Sequence, residues 1–537
     1  MTSERTAPGD STAESESSRS PTDESGASAT TGREPVERRL EDALERVAHG
    51  ASVSVPAILL QRGLTLAFTA VLTNGFSAGA YGVFALSRRL QRYLLRLTLG
   101  FRSGLSRFLP NADSDAERDV LATFAGLLLV GVATAFGTML FVAAPLVTRV
   151  ADEGAQFELF LRIFAAGLPA SVWLFTVTEI LRGLEAVGPL NLTLRVCFPT
   201  AQLAVGAVAA FVFRDLALAA AGVVFVMGLS GIGAAVWLVR ERDFRPRIRG
   251  GDAARLRRKY LSFTLPLFVG GVATTTQRLG FYPLIAVFLS SVAGGVFAVG
   301  VLVGTLVRLP LMGINQFIPP VAAALHEEGH RDALGRLYHV TSRLVLVGVT
   351  GLAIPVIVYR ETVMGLFGPT FVEYAPLLPG FVLAQYAACA AGSAGILLTM
   401  TDHQRALLVV NVVITAFLVV TAIPLTTRFG LPGLVGSYLL MLTINNGLEV
   451  AVLYYLEGLQ PFTRLHAKPL IAGLPLALLA LLVRFALPDV VALVVGTALG
   501  LFAYATSLRL LGFTAVERRL GATLVKRYRD ELWDAVQ

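Results

Sequence analysis

Arginine is the residue type that asks for an explanation in this chain, because it occurs where lipid should exclude it. In "YGVFALSRRLQRYLLRLTLGFRSGLSRFLP", residues 81–110, Arg88, Arg89, Arg92, Arg96, Arg102 and Arg107 interrupt a stretch otherwise suited to a membrane. On a helix, residues 88, 92 and 96 are i+4 neighbours on one face, and Arg89 lies 100° from Arg88 on the same side. Arg102 and Arg107 fall at or beyond the cytoplasmic surface, where snorkelling and positive-inside anchoring account for them. Arg92 and Arg96, in the inner half, fit anchoring and a deeper role equally.

Arg62, Arg88, Arg89, Arg278 and Arg308 lie within apolar runs, Arg308 in the inner half of its own. An arginine at the bilayer centre costs at least roughly 2.5–3.5 kcal/mol, so each should face a bundle interior or a wet cavity. The acids available within the apolar runs are chiefly Glu179 and Glu449, both remote in sequence from these arginines. Such an excess of guanidinium predicts a cationic cavity whose forked donors suit phosphate oxygens. Gln61, Gln277 and Asn315 add uncharged polar groups at or near membrane depth and are candidate glycan contacts. Interhelical hydrogen bonding is the plainer use for each one singly.

The elements that must position these residues are membrane helices. The chain of 537 residues is 55% hydrophobic and 15% charged, with mean hydropathy +0.67. Soluble domains carry roughly 25% charged residues, so composition alone makes this an all-α integral membrane protein. Apolar runs of about 20 residues predict about fourteen transmembrane helices between Ala51 and Leu511. The polar start leaves no cleavable signal, so the first apolar run is expected to serve as an uncleaved anchor. The net charge of +8 is absorbed by the positive-inside rule and does not call for nucleic acid. The loop "RERDFRPRIRGGDAARLRRK" at 240–259 carries the strongest basic signal, which predicts both termini in the cytoplasm of a multi-pass cell-membrane protein.

An internal repeat organises the runs. "GVFAL" at 82–86 recurs as "GVFAV" at 295–299, "FLP" at 108–110 as "FIP" at 317–319, "LVGV" at 129–132 again at 346–349, and Gln61-Arg62 as Gln277-Arg278. These keep one order and a spacing of 209–217 residues, which predicts two pseudo-symmetric six-helix bundles followed by two C-terminal helices. The expected organisation is a disordered tail at 1–34, an amphipathic surface helix at 35–50, an N-terminal lobe with its linker at 51–259, and a C-terminal lobe at 260–457. Two additional helices at 468–511 and an amphipathic cytoplasmic tail at 512–537 complete it. Parallel repeats of this kind place the substrate path between lobes.

Several chemistries are set aside. "HEEGH" at 326–330 matches a zinc-protease pattern, but Gly329 weakens the helix and no convincing third ligand follows. Cys197 and Cys389 lie in apolar runs, which excludes a disulfide framework. There is no Walker A sequence. The outward loops are too short to build a catalytic domain, so no enzyme and no cofactor are expected.

The runs "AYGVFALSRRL" (80–90) and "LGFRSGLSRFLP" (99–110), with the duplicated lobes, resemble the multidrug/oligosaccharidyl-lipid/polysaccharide (MOP) exporter superfamily. Its polysaccharide-transporter branch of Wzx-type flippases is the nearest likeness. The resemblance implies two bundles alternating between inward- and outward-open states. It also implies a polyprenyl- or dolichyl-(pyro)phosphate-linked oligosaccharide as cargo, with membrane lipids and glycan-assembly proteins as partners. By similarity to peptidoglycan-precursor flippases, Arg62, Arg88, Arg89 and Arg308 would take the headgroup, with Arg278 in addition. The alternative is a cation-coupled drug antiporter of the same superfamily, which would want buried carboxylates in the early helices. The first two spans have none.

Overall fold

The computed structural model describes residues 57–248, 253–316 and 318–512. The expected tail at 1–34, the surface helix at 35–50 and nearly all of 512–537 lie outside the described residues. Among the described residues the secondary structure is entirely helical.

The first half runs α1 (Ala57–Gly75), α2 (Ala78–Leu97), α3 (Leu99–Phe108), α4 (Asp115–Val150), α5 (Ala155–Ala166), α6 (Leu168–Gly183), α7 (Val187–Asn191), α8 (Phe198–Ala207) and α9 (Leu216–Glu241). Two π-helical turns, Leu192–Cys197 and Val208–Phe213, extend α7 and α8, so that Gly188–Phe213 is one apolar span. The second half runs α10 (Ala253–Leu279), α11 (Phe281–Phe288), α12 (Ser291–Val307), α13 (Leu309–Ile314), α14 (Ile318–Glu327), α15 (Arg331–Val358), α16 (Arg360–Gly365), α17 (Pro369–Val372), α18 (Leu378–Ala390), α19 (Ala394–Met400) and α20 (Gln404–Glu457). The hairpin α21 (Ala467–Ala486) and α22 (Asp489–Leu511) follows and packs on α15.

Nine of the described helices are long and apolar enough to cross a membrane, and the bent pair α5–α6 makes a tenth span. The apolar runs of the sequence lie on helices. Arginines hold α2 below ordinary membrane apolarity, α12 is short, and α20 consists of two helices joined at a kink. Gly430, at φ 62° and ψ −140°, turns the chain between those two. A Cβ at neighbouring Gly433 would sit 1.9 Å from the Leu425 carbonyl oxygen, so the tightness of this turn requires glycine.

The two halves repeat their local devices. Ser77 caps α2 by accepting from the Ala80 N–H, and Ser290 caps α12 by accepting from the Ala293 N–H, each supplying a partner to an otherwise orphaned donor. The second span breaks at Thr98, between α2 and α3, and the eighth breaks at Arg308, between α12 and α13. Pro310 at the start of α13 fixes the second break, since a proline there can follow the kink but cannot extend the hydrogen-bond ladder through it.

One hydrophobic core runs through both halves, from Phe68, Phe84 and Phe164 to Phe297, Phe381 and Tyr438. At the end of the molecule opposite the 240–259 linker, α2 packs on α12 through glycines. A Cβ at Gly82 would sit 1.9 Å from the Ser291 carbonyl oxygen, and one at Gly295 would sit 3.2 Å from the Gly82 Cα. Asn74 Nδ2 donates to the Leu366 carbonyl at 2.9 Å, and Tyr81 meets Phe371 edge-on at 6.2 Å. At the linker end α3 packs on α10, where Gly100 faces Phe268 and Gly104 faces Tyr260 and Thr264. The Tyr260 hydroxyl donates to the Phe101 carbonyl.

Candidate functional site

Between these two closures lies a cluster of arginines. Arg89, half-buried on α2, holds its guanidinium 5.1 Å from the centre of the Tyr282 ring on α11. It therefore reaches from the first lobe across to the second. Arg62 on α1 also crosses, with Nη2 3.7 Å from Met312 Sδ on α13. Arg92 and Arg96 follow Arg89 down α2 and remain half-buried. Arg92 stands within electrostatic reach of Arg88, Arg89 and Arg96, and Arg96 within reach of Arg278 and Arg89. Arg278, at the end of α10, lies within electrostatic reach of Arg308 and Glu449.

Arg88 is elsewhere. It is 8% exposed, and its Nη2 donates to Gln202 Oε1 on α8 at 2.9 Å. Its guanidinium lies 5.2 Å from the Phe68 ring centre and 5.9 Å from that of Phe84. One amide acceptor and two aromatic faces satisfy it inside the first lobe. The 100° between adjacent helical residues is enough to send Arg88 into the lobe and Arg89 toward the other lobe. Arg102 is buried against Phe175, 5.2 Å from its ring centre, and exposed Arg107 stacks at 4.3 Å on Phe263.

Of the two carboxylates the sequence offers, Glu179 is paired with Arg182 at 3.0 Å on its own helix. Glu449, half-buried on the second half of α20, faces Arg308 and Arg278. It accepts from Asn445 Nδ2 at 2.9 Å. A Cβ at position 395 would come within 2.8 Å of its Oε2, so the glycine makes room for the carboxylate. Electrostatic proximity thus links Arg62, Arg89, Arg92, Arg96, Arg278 and Arg308 in one cluster, with Glu449 beside its Arg278–Arg308 end.

The amides act within the lobes. Gln61 Nε2 donates to the Leu194 carbonyl at 3.4 Å. Gln277 Nε2 donates to the Asn411 carbonyl at 2.6 Å and approaches Thr415 Oγ1 at 3.3 Å. Asn315 Oδ1 accepts from Ser393 Oγ at 2.6 Å. Each joins two helices of one half, so helix pairing accounts for the contacts they make. The "HEEGH" stretch does not form a ligand pair: α14 ends at Glu327, Gly329 turns at φ 72°, and His330 lies beyond the turn. Among the described residues no group of three or more metal-ligating side chains comes together.

Sequence reasoning left Arg92 and Arg96 open between anchoring and a deeper role, and did not place Glu449 beside Arg278 and Arg308. The i+4 spacing from Arg88 was the available signal for the arginines. Glu449 carried the signal of a lone acid in an apolar run.

The chain is therefore a multi-pass helical membrane protein of two packed halves with a cluster of arginines at their boundary. No family profile and no curated protein sequence matches it. Solved structures do. An inward-facing multidrug resistance MATE family transporter of the MOP superfamily superposes with TM-score 0.67 at 15% identity, over 76% of this chain and 98% of that one. The lipid II flippase MurJ, in an inward closed conformation, gives 0.69 at 10% identity, over 85% and 97%. A MOP superfamily transporter from Pyrococcus furiosus, described as having a binding pocket of reverse polarity, gives 0.55 at 17% identity, over 80% and 96%. The chain has the fold of the MOP superfamily transporters.

Proposed function

We propose that this chain is a flippase that carries a polyprenyl- or dolichyl-(pyro)phosphate-linked oligosaccharide across the cell membrane by alternating access between its lobes. The observation that carries the reading is the sign of the cluster: six arginines from both halves against Glu449. Guanidinium forks suit phosphate oxygens, and the Coulomb field of the cluster favours an anion in a partly dehydrated site. The phosphate would dock among Arg62, Arg89, Arg92, Arg96, Arg278 and Arg308 while the isoprenoid stays in lipid. The lobes would then exchange one closure for the other. The lipid II flippase among the structural neighbours acts on cargo of this chemistry, which supports the reading.

A drug antiporter is the second reading, favoured by the multidrug transporter among the neighbours and by the carboxylate Glu449. The surplus of arginines opposes a cationic drug. The deciding experiment reconstitutes the full chain in liposomes with a fluorescent polyprenyl-pyrophosphate glycan and, in parallel, with a cationic dye. Glycan translocation that is lost in Arg89→Ala/Arg278→Ala supports the flippase. Dye transport that survives without glycan movement overturns it.

A further inference from the structure

The acid beside this cluster raises a question of its own. Glu449 is placed by two features: the Asn445 amide 2.9 Å away and the space left by the missing Cβ at Gly395. Its direct hydrogen bond goes to this neutral amide, while Arg278 and Arg308 face it from α10 and the α12–α13 break. Tyr338 on α15, whose hydroxyl donates to the Ala391 carbonyl at 2.6 Å, is the other titratable group beside it. Nothing comparable faces Arg62, Arg89, Arg92 and Arg96, whose charged neighbours among the described residues are other arginines.

The geometry points to Glu449 as the resident counter-ion of the second-lobe arginines, which the anionic headgroup of the substrate must outcompete on binding and which recovers Arg278 and Arg308 on release. This deepens the flippase reading and rests on it. An uncompensated cluster of six cations would hold a pyrophosphate too tightly to release it, because binding energy that is not surrendered slows the return step. A tethered carboxylate weakens that grip by a fixed amount and supplies a replacement partner when the anion leaves. The two lobes then divide the work. The first-lobe arginines attract the anion without competition, and the second-lobe pair is exchanged between Glu449 and substrate. Glu449 is a positioning residue here, acting on the ligand through Arg278 and Arg308.

The test measures inorganic pyrophosphate binding to the purified full-length chain by calorimetry, at constant pH and low salt, for the native protein, Glu449→Gln and Glu449→Asp. Removing one nearby charge is expected to tighten binding about tenfold in Glu449→Gln, while Glu449→Asp stays close to native. In the liposome assay Glu449→Gln should lower both KM and kcat for the glycan lipid. If Glu449→Gln fails to fold, Glu449→Ala carries the same expectation. Native binding with unchanged or weaker binding in the neutral variants overturns the counter-ion role and leaves the flippase reading standing. Absence of pyrophosphate binding in native and neutral variants alike overturns the anion site itself.

Discussion

Arg88 and Arg89 are neighbours in sequence and belong to different environments: Arg88 donates to Gln202 Oε1 at 2.9 Å within the first lobe, whereas Arg89 crosses to the Tyr282 ring of the second. A buried cation satisfied by a neutral amide and two rings is structural. A cation held only by a ring at the boundary between lobes is available to a ligand. The two residues should therefore fail in different ways.

Arg88→Leu leaves Gln202 without its charged donor, and a hydrogen bond to a charged group contributes about 1.5–3 kcal/mol. Its thermal midpoint in detergent should fall by several degrees. Arg89→Ala should keep the native midpoint and lose glycan translocation. Equal loss of stability in both variants would remove the distinction.

The repeat made much of this legible. Gln61-Arg62 and Gln277-Arg278 were recognisable as copies, and the paired serine caps and mid-helix breaks reproduce the copying in structure. The face on which each arginine falls was not legible. Helix rotation about its own axis is set by packing, here by the approach of Gly82 to Ser291 and of Gly104 to Tyr260. A pattern of residue types fixes a face only relative to its own helix. Glu449 was invisible as a partner because it is more than a hundred residues from every arginine of the cluster in the sequence, and only the bundle brings its span beside theirs.

The glycine contacts predict conformational bias. A Cβ at Gly82 meets the Ser291 carbonyl at 1.9 Å, and backbone cannot yield as a side-chain tip can. Gly82→Leu should hold the lobes apart at the end opposite the linker. In a cysteine-free background, Tyr282→Cys should then become reactive to an impermeant maleimide added from that side, whereas it should stay protected when Gly82 is native. The mirror variant Gly104→Leu should wedge the linker end, and Tyr282→Cys should then react from the linker side. Unchanged labelling in both variants would show that neither contact is a closure.

The charge of Arg92 and Arg96 separates anchoring from ligand binding. Arg92→Gln/Arg96→Gln should still insert in the membrane, because the linker and tail retain their basic residues. It should weaken pyrophosphate binding by more than tenfold and flatten its dependence on salt, since fewer cations remain to be screened. Native affinity in this variant would return both residues to the anchoring role.

Glu153 predicts how pH acts on the closure opposite the linker. It lies in the short connection between α4 and α5, beside Ser291 at the start of α12. It therefore sits where the two lobes meet at that end. Burial there pushes its carboxyl above the usual range; the Ser291 hydrogen bonds oppose the shift and Asp152 adds to it. A group whose pKa is raised in the closed state binds its proton more tightly there than when opening exposes it to water. Acidification toward the usual carboxylate range should thus favour closure, and that contribution should fade as pH rises through the raised value. Spin labels at Ala155→Cys and Thr370→Cys, on opposite lobes at this end, should show a shorter distance population growing as pH falls toward the usual carboxylate range. Glu153→Gln should abolish the pH response while keeping a neutral acceptor for Ser291. A response that persists in Glu153→Gln would assign it to another group, and a response of opposite sign would show that the ionised carboxylate, held by Ser291, is the form that closes the lobes.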